Sequence, residues 1–317
     1  MAHVIDGNEL AEELRRTIDT ELKVLRASEV HPGVATVVIG SDPGAAAYER
    51  HVRSLAEGLG YHYVCERLAA DVEVADVFAT VGKLNADPRV TGILIMRPLP
   101  RHLPEADINN SLDPMKDIEA VHPENAGLLA QGRARFFPST PASCFYLLDA
   151  YVRSNGGDPA TYYSGKTLVV VGRSISVGKP AQWMGLERNA TVIACHAHTA
   201  RAGKLPEITR LADILIVGAG VPGLVTGEMV REGVIAVDVG FHVLKDEATG
   251  KSRIAGDLDF ESVAAKAEAV SPVPGGIGPI TDVWLIGNAL MAAGLLARVG
   301  SDFIRAWNEP FEIGGTR

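Results

Sequence analysis

The segment VVVGRSISVGKP (169–180) carries residues typical of a turn that holds phosphate groups. A valine run ends at Gly172, Gly178 follows six residues later, and Ser174 lies between them. Such a turn leaves backbone N–H groups at a helix start free to bind a pyrophosphate, although an ordinary strand-to-helix turn fits this spacing equally well. Arg173 could bind a ribose 2′-phosphate bidentately, although a lone arginine in a turn is usually solvated.

Two other segments end in glycine after an apolar run, ADILIVGAG (212–220) and VIAVDVG (234–240). They supply the neighbouring strand ends that a dinucleotide site uses, so they favour a cofactor site over an ordinary turn. Gly218 and Gly240 lie at those ends.

The segment SPVPGGIGPIT (271–281) has three glycines and three prolines in eleven residues, and we predict neither helix nor regular strand for it. Glycine allows a close backbone approach to a ligand, and proline stiffens the loop. A rigid interdomain loop is the alternative. The long apolar helix predicted directly after it, over 281–299, favours a loop that faces a ligand.

A fourth segment, GSDPGAAAYERHVRSLAEGLG (40–60), is predicted to be a loop followed by a helix. Tyr48 and Val52 lie one turn apart and therefore share a helix face. The question is what chemistry a face with a tyrosine and a valine can perform.

The elements that must position these segments alternate between strand and helix. Buried strands are predicted over 34–40 and 90–96, helices over 75–88 and 141–154, and one strand–helix–strand unit over 165–199. This alternation predicts an α/β fold with two doubly wound three-layer domains around a cleft, the second of them Rossmann-type. We predict one domain from residues 1–140 plus 285–317 and the other from 141–284.

Composition excludes several classes of protein. The 317 residues suffice for two domains, and 47% hydrophobic with 22% charged residues is typical of a well-packed soluble chain. A net charge of −9 argues against a nucleic-acid or membrane surface, and no apolar run is judged long enough to cross a membrane. Three scattered cysteines, Cys65, Cys144 and Cys195, predict neither a metal site nor disulfides, so we expect a cytoplasmic protein.

Collinear motifs resemble the methylenetetrahydrofolate dehydrogenase/cyclohydrolase family across nearly the whole chain. They include IDGNELAEELR, VTGILIMRPLP, KDIEAVHPENAG, FFPSTP, VVVGRSISVGKP, ATVIACHAHT, GDLDF and SPVPGGIGPIT. The resemblance implies a reduced folate as substrate, bound between an N-terminal α/β domain and an NAD(P)-binding domain. It also implies a homodimer.

The substrate side matches the family only in part. Tyr48 stands where the family tyrosine packs on the pterin, but Val52 replaces the lysine of Tyr-x-x-x-Lys. In IMRPLP, Met96 replaces the glutamine of V-Q-L-P-L-P, and in KDIEA, Glu119 replaces the aspartate of K-D-V-D-G that reads the pterin ring. No catalytic acid or base is identified. The resemblance adds three substrate-binding residues from the Gly/Pro-rich segment, namely Pro274, Gly275 and Gly276.

The cofactor side matches better, and the implied cofactor is NADP or NAD. Arg173 favours NADP, but Ala197 stands where NADP-dependent members have a serine for the 2′-phosphate. No metal is predicted. The remaining predicted cofactor-binding residues are Thr140, Gly172, Ser174, Ile175, Gly218, Gly240 and Thr281.

The two family reactions make unequal chemical demands. Hydride loss from the methylene bridge needs alignment, whereas hydrolysis of the methenyl product needs a tuned base such as lysine. Valine and methionine cannot titrate. Neighbouring residues are poor substitutes for the missing base. His51 and Arg53 lie about 100° round the helix from Val52, and Arg97 should face away from Met96 in a strand. His122 is expected to be structural.

The sequence therefore predicts an NAD(P)-dependent methylenetetrahydrofolate dehydrogenase whose cyclohydrolase activity is lost or weak. Three alternatives stay open. The chain is a bifunctional enzyme with a substitute base, a catalytically weak folate- or nucleotide-binding paralogue, or a dehydrogenase for another reduced pterin, since three folate-side positions are altered.

Overall fold

The structure is a computed structural model that describes residues 2–245 and 252–299. Its contacts divide the described chain into two units, one of residues 2–13 and 139–281 and the other of 14–138 and 282–299. Residues 300–317, which the sequence assigned to the folate-binding domain, lie outside the described residues.

The strands and helices alternate along the chain as predicted. The strands are β1 (His3–Val4), β2 (Gly33–Ile39), β3 (His62–Leu68), β4 (Gly92–Ile95), β5 (Thr167–Val171), β6 (Thr191–Cys195), β7 (Ile214–Val217), β8 (Ile235–Asp238), β9 (His242–Lys245), β10 (Ser252–Ala255) and β11 (Ala269–Val270). The helices are α1 (Gly7–Ala27), α2 (Pro43–Gly58), α3 (Val74–Ala86), α4 (Glu105–Asn110), α5 (Pro123–Ala130), α6 (Ser139–Ser154), α7 (Pro159–Tyr162), α8 (Gly178–Glu187), α9 (Ala197–Arg201), α10 (Leu205–Thr209), α11 (Phe260–Ala264) and α12 (Ile277–Ala297).

The unit that contains residues 139–281 is built on a six-stranded sheet in the order β1-β11-β8-β7-β5-β6. Every neighbouring pair in this sheet is parallel. Strands β7 and β8 are buried along their full length, as is typical of parallel strands covered on both faces. The parallel sheet confirms the predicted Rossmann-like fold of this part of the chain.

The other unit has a three-stranded parallel sheet in the order β3-β2-β4. All seven residues of the central strand, GVATVVI, are buried. The buried amide of Asn288 on α12 donates to the carbonyls of Ile118 and Phe137, at 2.8 and 2.9 Å, so it joins three segments of this unit. Both sheets together confirm the α/β class.

Two sequence expectations about α12 are wrong. The helix begins at Ile277, so the last five residues of SPVPGGIGPIT are helical. Pro279 is compatible with this because the first turn of a helix has no use for its missing N–H. Within the described residues, α12 is also the one helix long and apolar enough to cross a membrane, but most of that segment is buried inside the protein, as in a core helix.

Candidate active site

The turn after β5 is built from glycines whose backbones touch. Gly172 has a φ of +142°, and a Cβ there would lie 2.4 Å from the carbonyl oxygen of Gly218. A Cβ on Gly178 would lie 2.3 Å from the carbonyl oxygen of Gly172. Two predicted cofactor residues, Gly172 and Gly218, therefore meet with Gly178 at the carboxyl ends of β5 and β7, and only glycine fits at positions 172 and 178.

Ser174 organises this turn from within. Its Oγ accepts hydrogen bonds from the N–H groups of Val177 and Gly178, at 3.1 and 3.3 Å. The sequence expectation of free N–H groups at this helix start therefore does not hold for these two, because a serine side chain at the turn satisfies them first. The flanking Arg173 and Ile175 are exposed.

Two buried carboxylates that the sequence analysis missed fix the neighbouring strand ends. Asp238 accepts hydrogen bonds from the N–H groups of Gly240, Asp257 and Leu258, at 2.8 to 2.9 Å. Asp257 in turn accepts from the N–H of Gly220 at 2.9 Å and is paired with the ring of His242 at 2.7 Å. Burial raises the pKa of Asp238 to about 6, against the opposing effect of its three amide donors. The available signal was the lone aspartate at the end of an apolar strand in VIAVDVG.

Two histidines follow β6, near Arg173. His196 caps α9, because its Nδ1 accepts from the N–H of His198 at 3.3 Å, and their rings lie 5.6 Å apart. Desolvation lowers the pKa of His196, and nearby Arg173 and His198 lower it further. Ala197 is exposed beside them.

The Gly/Pro-rich loop packs against the start of α1 in the same unit. Gly7 donates to the carbonyl of Gly275 at 2.8 Å, and a Cβ on Gly7 would lie 1.8 Å from the carbonyl oxygen of Gly276. Pro274 precedes this contact, and Gly275 has a φ of +100°. Two further predicted cofactor residues lie near helix starts: Thr140 is the second residue of α6, and Thr281 is the fifth residue of α12.

Helix α2 positions the predicted substrate face of the other unit. Asp42 caps it by accepting from the N–H of Ala45 at 2.8 Å, and Pro43 occupies its first position. Val52 has no exposed surface and Met96 has 3% exposed. Both side chains are packed inside the protein, and neither supplies a titratable group.

Tyr48 lies among acidic groups. Burial raises the pKa of its hydroxyl above the usual range, and the carboxylates of Asp282 and Glu119 raise it further. Asp282, which the sequence analysis did not single out, pairs with Nε2 of His51 at 2.8 Å. His51 is exposed whereas Val52 is buried, as their separation of about 100° round the helix predicted, and His51 instead lies near Tyr48, three residues before it. Burial raises the pKa of Asp282, and His51 opposes this shift.

Arg97 also departs from expectation. Its guanidinium donates to Glu119 and to Glu105, each at 2.7 Å, so it lies at the predicted pterin-reading residue. The strand alternation used for Arg97 does not apply, because β4 ends at Ile95. An arginine stays protonated at all working pH values, so Arg97 cannot serve as a base.

Other polar residues of the KDIEAVHPENAG motif are structural. The side chain of Lys116 donates to the carbonyls of Asn85 and Asp87, at 2.6 and 2.8 Å. Asp117 is buried and accepts from the N–H of His122 at 2.8 Å. His122 caps α5 through its Nδ1, which confirms its expected structural role.

Comparison with known proteins agrees with both halves of this arrangement. Residues 5–119 match the catalytic domain of tetrahydrofolate dehydrogenase/cyclohydrolase, and residues 138–296 match the NAD(P)-binding domain of the same enzymes. The chain belongs to the tetrahydrofolate dehydrogenase/cyclohydrolase family. The match to its NAD(P)-binding domain confirms an NAD(P) cofactor, without a choice between NAD and NADP.

Relatives of the family cover nearly the full chain. The bifunctional protein FolD 3 of Rubrobacter xylanophilus is 58% identical over 297 residues, which are 93% of each chain. The crystal structure of the bifunctional FolD of Campylobacter jejuni is 34% identical with a TM-score of 0.84, and the match covers 93% of this chain and 100% of that one. The Trypanosoma brucei enzyme, solved with NADP and an inhibitor, is 29% identical with a TM-score of 0.84, over 94% and 99% of the two chains.

The glycine contacts generate a steric prediction. We expect Gly172→Ala to raise the dissociation constant for NADP+ by about 10- to 100-fold, because the turn must shift and an L-residue is strained at this φ. Isothermal titration calorimetry measures this constant. Gly82→Ala is the control, since a Cβ there meets nothing within 4 Å. An unchanged constant in Gly172→Ala would show that this contact does not shape the cofactor site.

Proposed function

We propose that the chain oxidises 5,10-methylenetetrahydrofolate to 5,10-methenyltetrahydrofolate with NAD(P)+ as the acceptor. The observation that carries the proposal is the collinear match of both family domains, together with the glycine turn at Gly172, Gly178 and Gly218. The 58% identical Rubrobacter relative is named a bifunctional protein of the same family.

Hydride transfer requires mainly that the chain align the nicotinamide with the methylene bridge. The C–H bond of the methylene bridge breaks with its electron pair, and a bridging nitrogen forms the C=N bond of the methenyl cation. When bound, NAD(P)+ accepts that hydride at C4 of its nicotinamide. Tyr48 would hold the pterin, and the fixed loops at the ends of β5, β7 and β8 would hold the cofactor.

Hydrolysis of the methenyl product asks for a base, and we propose that this second activity is weak or absent. The positions of the family lysine and glutamine hold Val52 and Met96, whose side chains neither titrate nor donate hydrogen bonds. Arg97, the cation nearest in sequence to Met96, donates hydrogen bonds to two carboxylates.

A second candidate function is the complete bifunctional reaction with a substitute base. The observation that favours it is the 2.8 Å contact between His51, which shares a helix face with Tyr48, and Asp282 on α12. Asp282 also raises the pKa of Tyr48. A carboxylate with a raised pKa and an imidazole partner has the residue types of an acid–base pair.

Incubation of the purified chain with 5,10-methylenetetrahydrofolate and either cofactor tests both candidates. We expect reduced cofactor to form and the methenyl compound, followed by its absorbance, to accumulate and then open at its spontaneous rate. A wild-type chain that reduces no cofactor would reject the proposed function.

The same assay decides about hydrolysis. Rapid enzymatic opening of added methenyltetrahydrofolate would reject the loss of cyclohydrolase. Asp282→Asn then identifies the base, because removal of a general base costs about 10²- to 10⁴-fold in hydrolysis. The reduction rate of the cofactor in the same variant is the internal control.

We further propose that NADP is preferred over NAD. Arg173, His196 and His198 bring three cationic or protonatable groups together, and a 2′-phosphate would attract them all. Ala197 cannot supply the hydroxyl of the NADP-dependent members, so the preference rests on these three side chains.

Arg173→Ala is expected to raise KM for NADP+ by about 10- to 100-fold, because a charged hydrogen-bond partner of the phosphate is lost. KM for NAD+ should change less than about threefold, since NAD+ lacks the group that Arg173 would bind. Lys204→Ala, at an exposed surface pair with Glu207, is the control. Equal effects on the two cofactors would contradict the proposal.

We also propose a cytoplasmic homodimer. The dimer rests on the family resemblance, and the compartment rests on three cysteines that are all free of disulfides. Light scattering after gel filtration should give about twice the chain mass of 33.6 kDa. A mass equal to one chain would contradict the dimer.

A further inference from the structure

Two departures from the family motifs touch each other. Arg97 stands where V-Q-L-P-L-P has its first leucine, and Glu119 stands where K-D-V-D-G has its second aspartate. The residues are 22 apart in sequence, yet Nη1 of Arg97 lies 2.7 Å from Oε2 of Glu119. Two separate substitutions thus form one ion pair.

The protein fixes the guanidinium of Arg97 on every side. Nε donates to Glu105 at 2.7 Å, Nη2 donates to the amide oxygen of Asn109 at 3.1 Å, and Nη1 also approaches the carbonyl of Ile95 at 3.3 Å. The side chain is 24% exposed. Because its plane is set by four acceptors, Arg97 holds Glu119 in one direction rather than following it.

The tether leaves half of the Glu119 carboxylate available. Among the described residues, Oε1 of Glu119 has no hydrogen-bond partner, and Oε2 has lone-pair capacity beyond its bond to Arg97. Glu119 is near Tyr48, and its carboxylate raises the pKa of the Tyr48 hydroxyl. A glutamate has one more methylene and one more rotatable bond than the aspartate it replaces, so a fixed partner restores a defined direction.

The tether also favours the charged form of Glu119. Burial favours the neutral acid and raises the pKa of Glu119, and the neighbouring carboxylates of Asp117 and Glu105 act in the same direction. Arg97 is the cation that opposes them. An ionised carboxylate is the better acceptor for two adjacent N–H donors.

We propose that Arg97 is a positioning residue that presents the carboxylate of Glu119 to the amino-pyrimidine edge of the pterin. Arg97 and Glu119 thereby act as one unit that replaces the leucine and aspartate of the family motifs. The proposal rests on the proposed function, because it takes the reduced folate as the ligand of this unit.

The test is a double-mutant cycle on dehydrogenase turnover, with Arg97→Leu, Glu119→Asp and the double variant. Each single variant should raise KM for methylenetetrahydrofolate by about 10- to 100-fold, because a charged hydrogen bond is lost or misaligned. Restoring the family pair in the double variant should bring KM back to within about fivefold of wild type, so the two effects are not additive. A residue that only supports the fold would not be rescued in this way.

Two controls separate binding from folding. Arg101→Leu removes an exposed arginine nearby and should leave KM unchanged. Thermal unfolding without ligand, together with the affinity for NADP+, shows whether each variant keeps its fold; Arg97→Lys serves as the milder replacement if Arg97→Leu unfolds. Single-variant KM values equal to wild type, or a double variant whose KM is the product of the single effects, would overturn the proposal.

Failure of the proposed function would look different. If wild type does not reduce cofactor, the shift of the unfolding temperature by tetrahydrofolate replaces KM in the same cycle. A wild-type shift that Arg97→Leu abolishes and the double variant restores would support the pair. Equal shifts in all four proteins, or none in wild type, would overturn it.

Discussion

The cofactor half of the molecule depends on backbone contacts that leave no room for a side chain. Gly172 packs on the carbonyl of Gly218 and Gly178 packs on the carbonyl of Gly172, so closely that a Cβ on Gly172 or Gly178 would clash. Asp238 and Asp257 fix the adjacent loops by accepting several backbone N–H groups each. Because parallel strands end at the same edge of a sheet, these contacts set the ligand-facing edge before a ligand arrives, which is the alignment that hydride transfer requires.

The substrate half is organised by paired charges. Glu119 and Asp282 both raise the pKa of the Tyr48 hydroxyl, and each carboxylate has its own hydrogen-bonded partner, Arg97 or His51. Desolvated carboxylates are stable in a protein only when they are paired and hydrogen-bonded. Where the family has a lysine beside its tyrosine, this chain packs Val52 completely inside the protein. The carboxylates beside Tyr48 are therefore each held by a partner side chain, Arg97 or His51.

Under the proposed function, the two reactions of the family differ in one chemical demand. Loss of a hydride leaves a cation that the bridging nitrogens already stabilise, so positioning suffices. Attack by water needs a group that takes a proton, and a guanidinium cannot do so. Near Tyr48, Asp282 and His51 form a pair with the residue types of a general acid and base. The contribution of this pair to hydrolysis depends on its distance from the reactive carbon.

The sequence by itself determined the α/β class, the positions of most strands and helices, the family, and the glycine turn after β5. These features follow from local hydrophobic periodicity and from motifs whose residue types are required by the backbone conformation. His122 as a structural residue also followed, since it stands directly before the proline that opens a helix.

Only the tertiary structure decided which charged side chains meet. His51 and Asp282 are 231 residues apart, and Arg97 and Glu119 are 22 apart, so no local period relates them. The strand rule did not apply to Arg97, because β4 ends two residues before it. The glycines and prolines of SPVPGGIGPIT argued against a helix, although the first turn of a helix tolerates proline. The pairing of buried charges depends on packing between distant segments, and that information lies in the folded chain rather than in any short stretch of it.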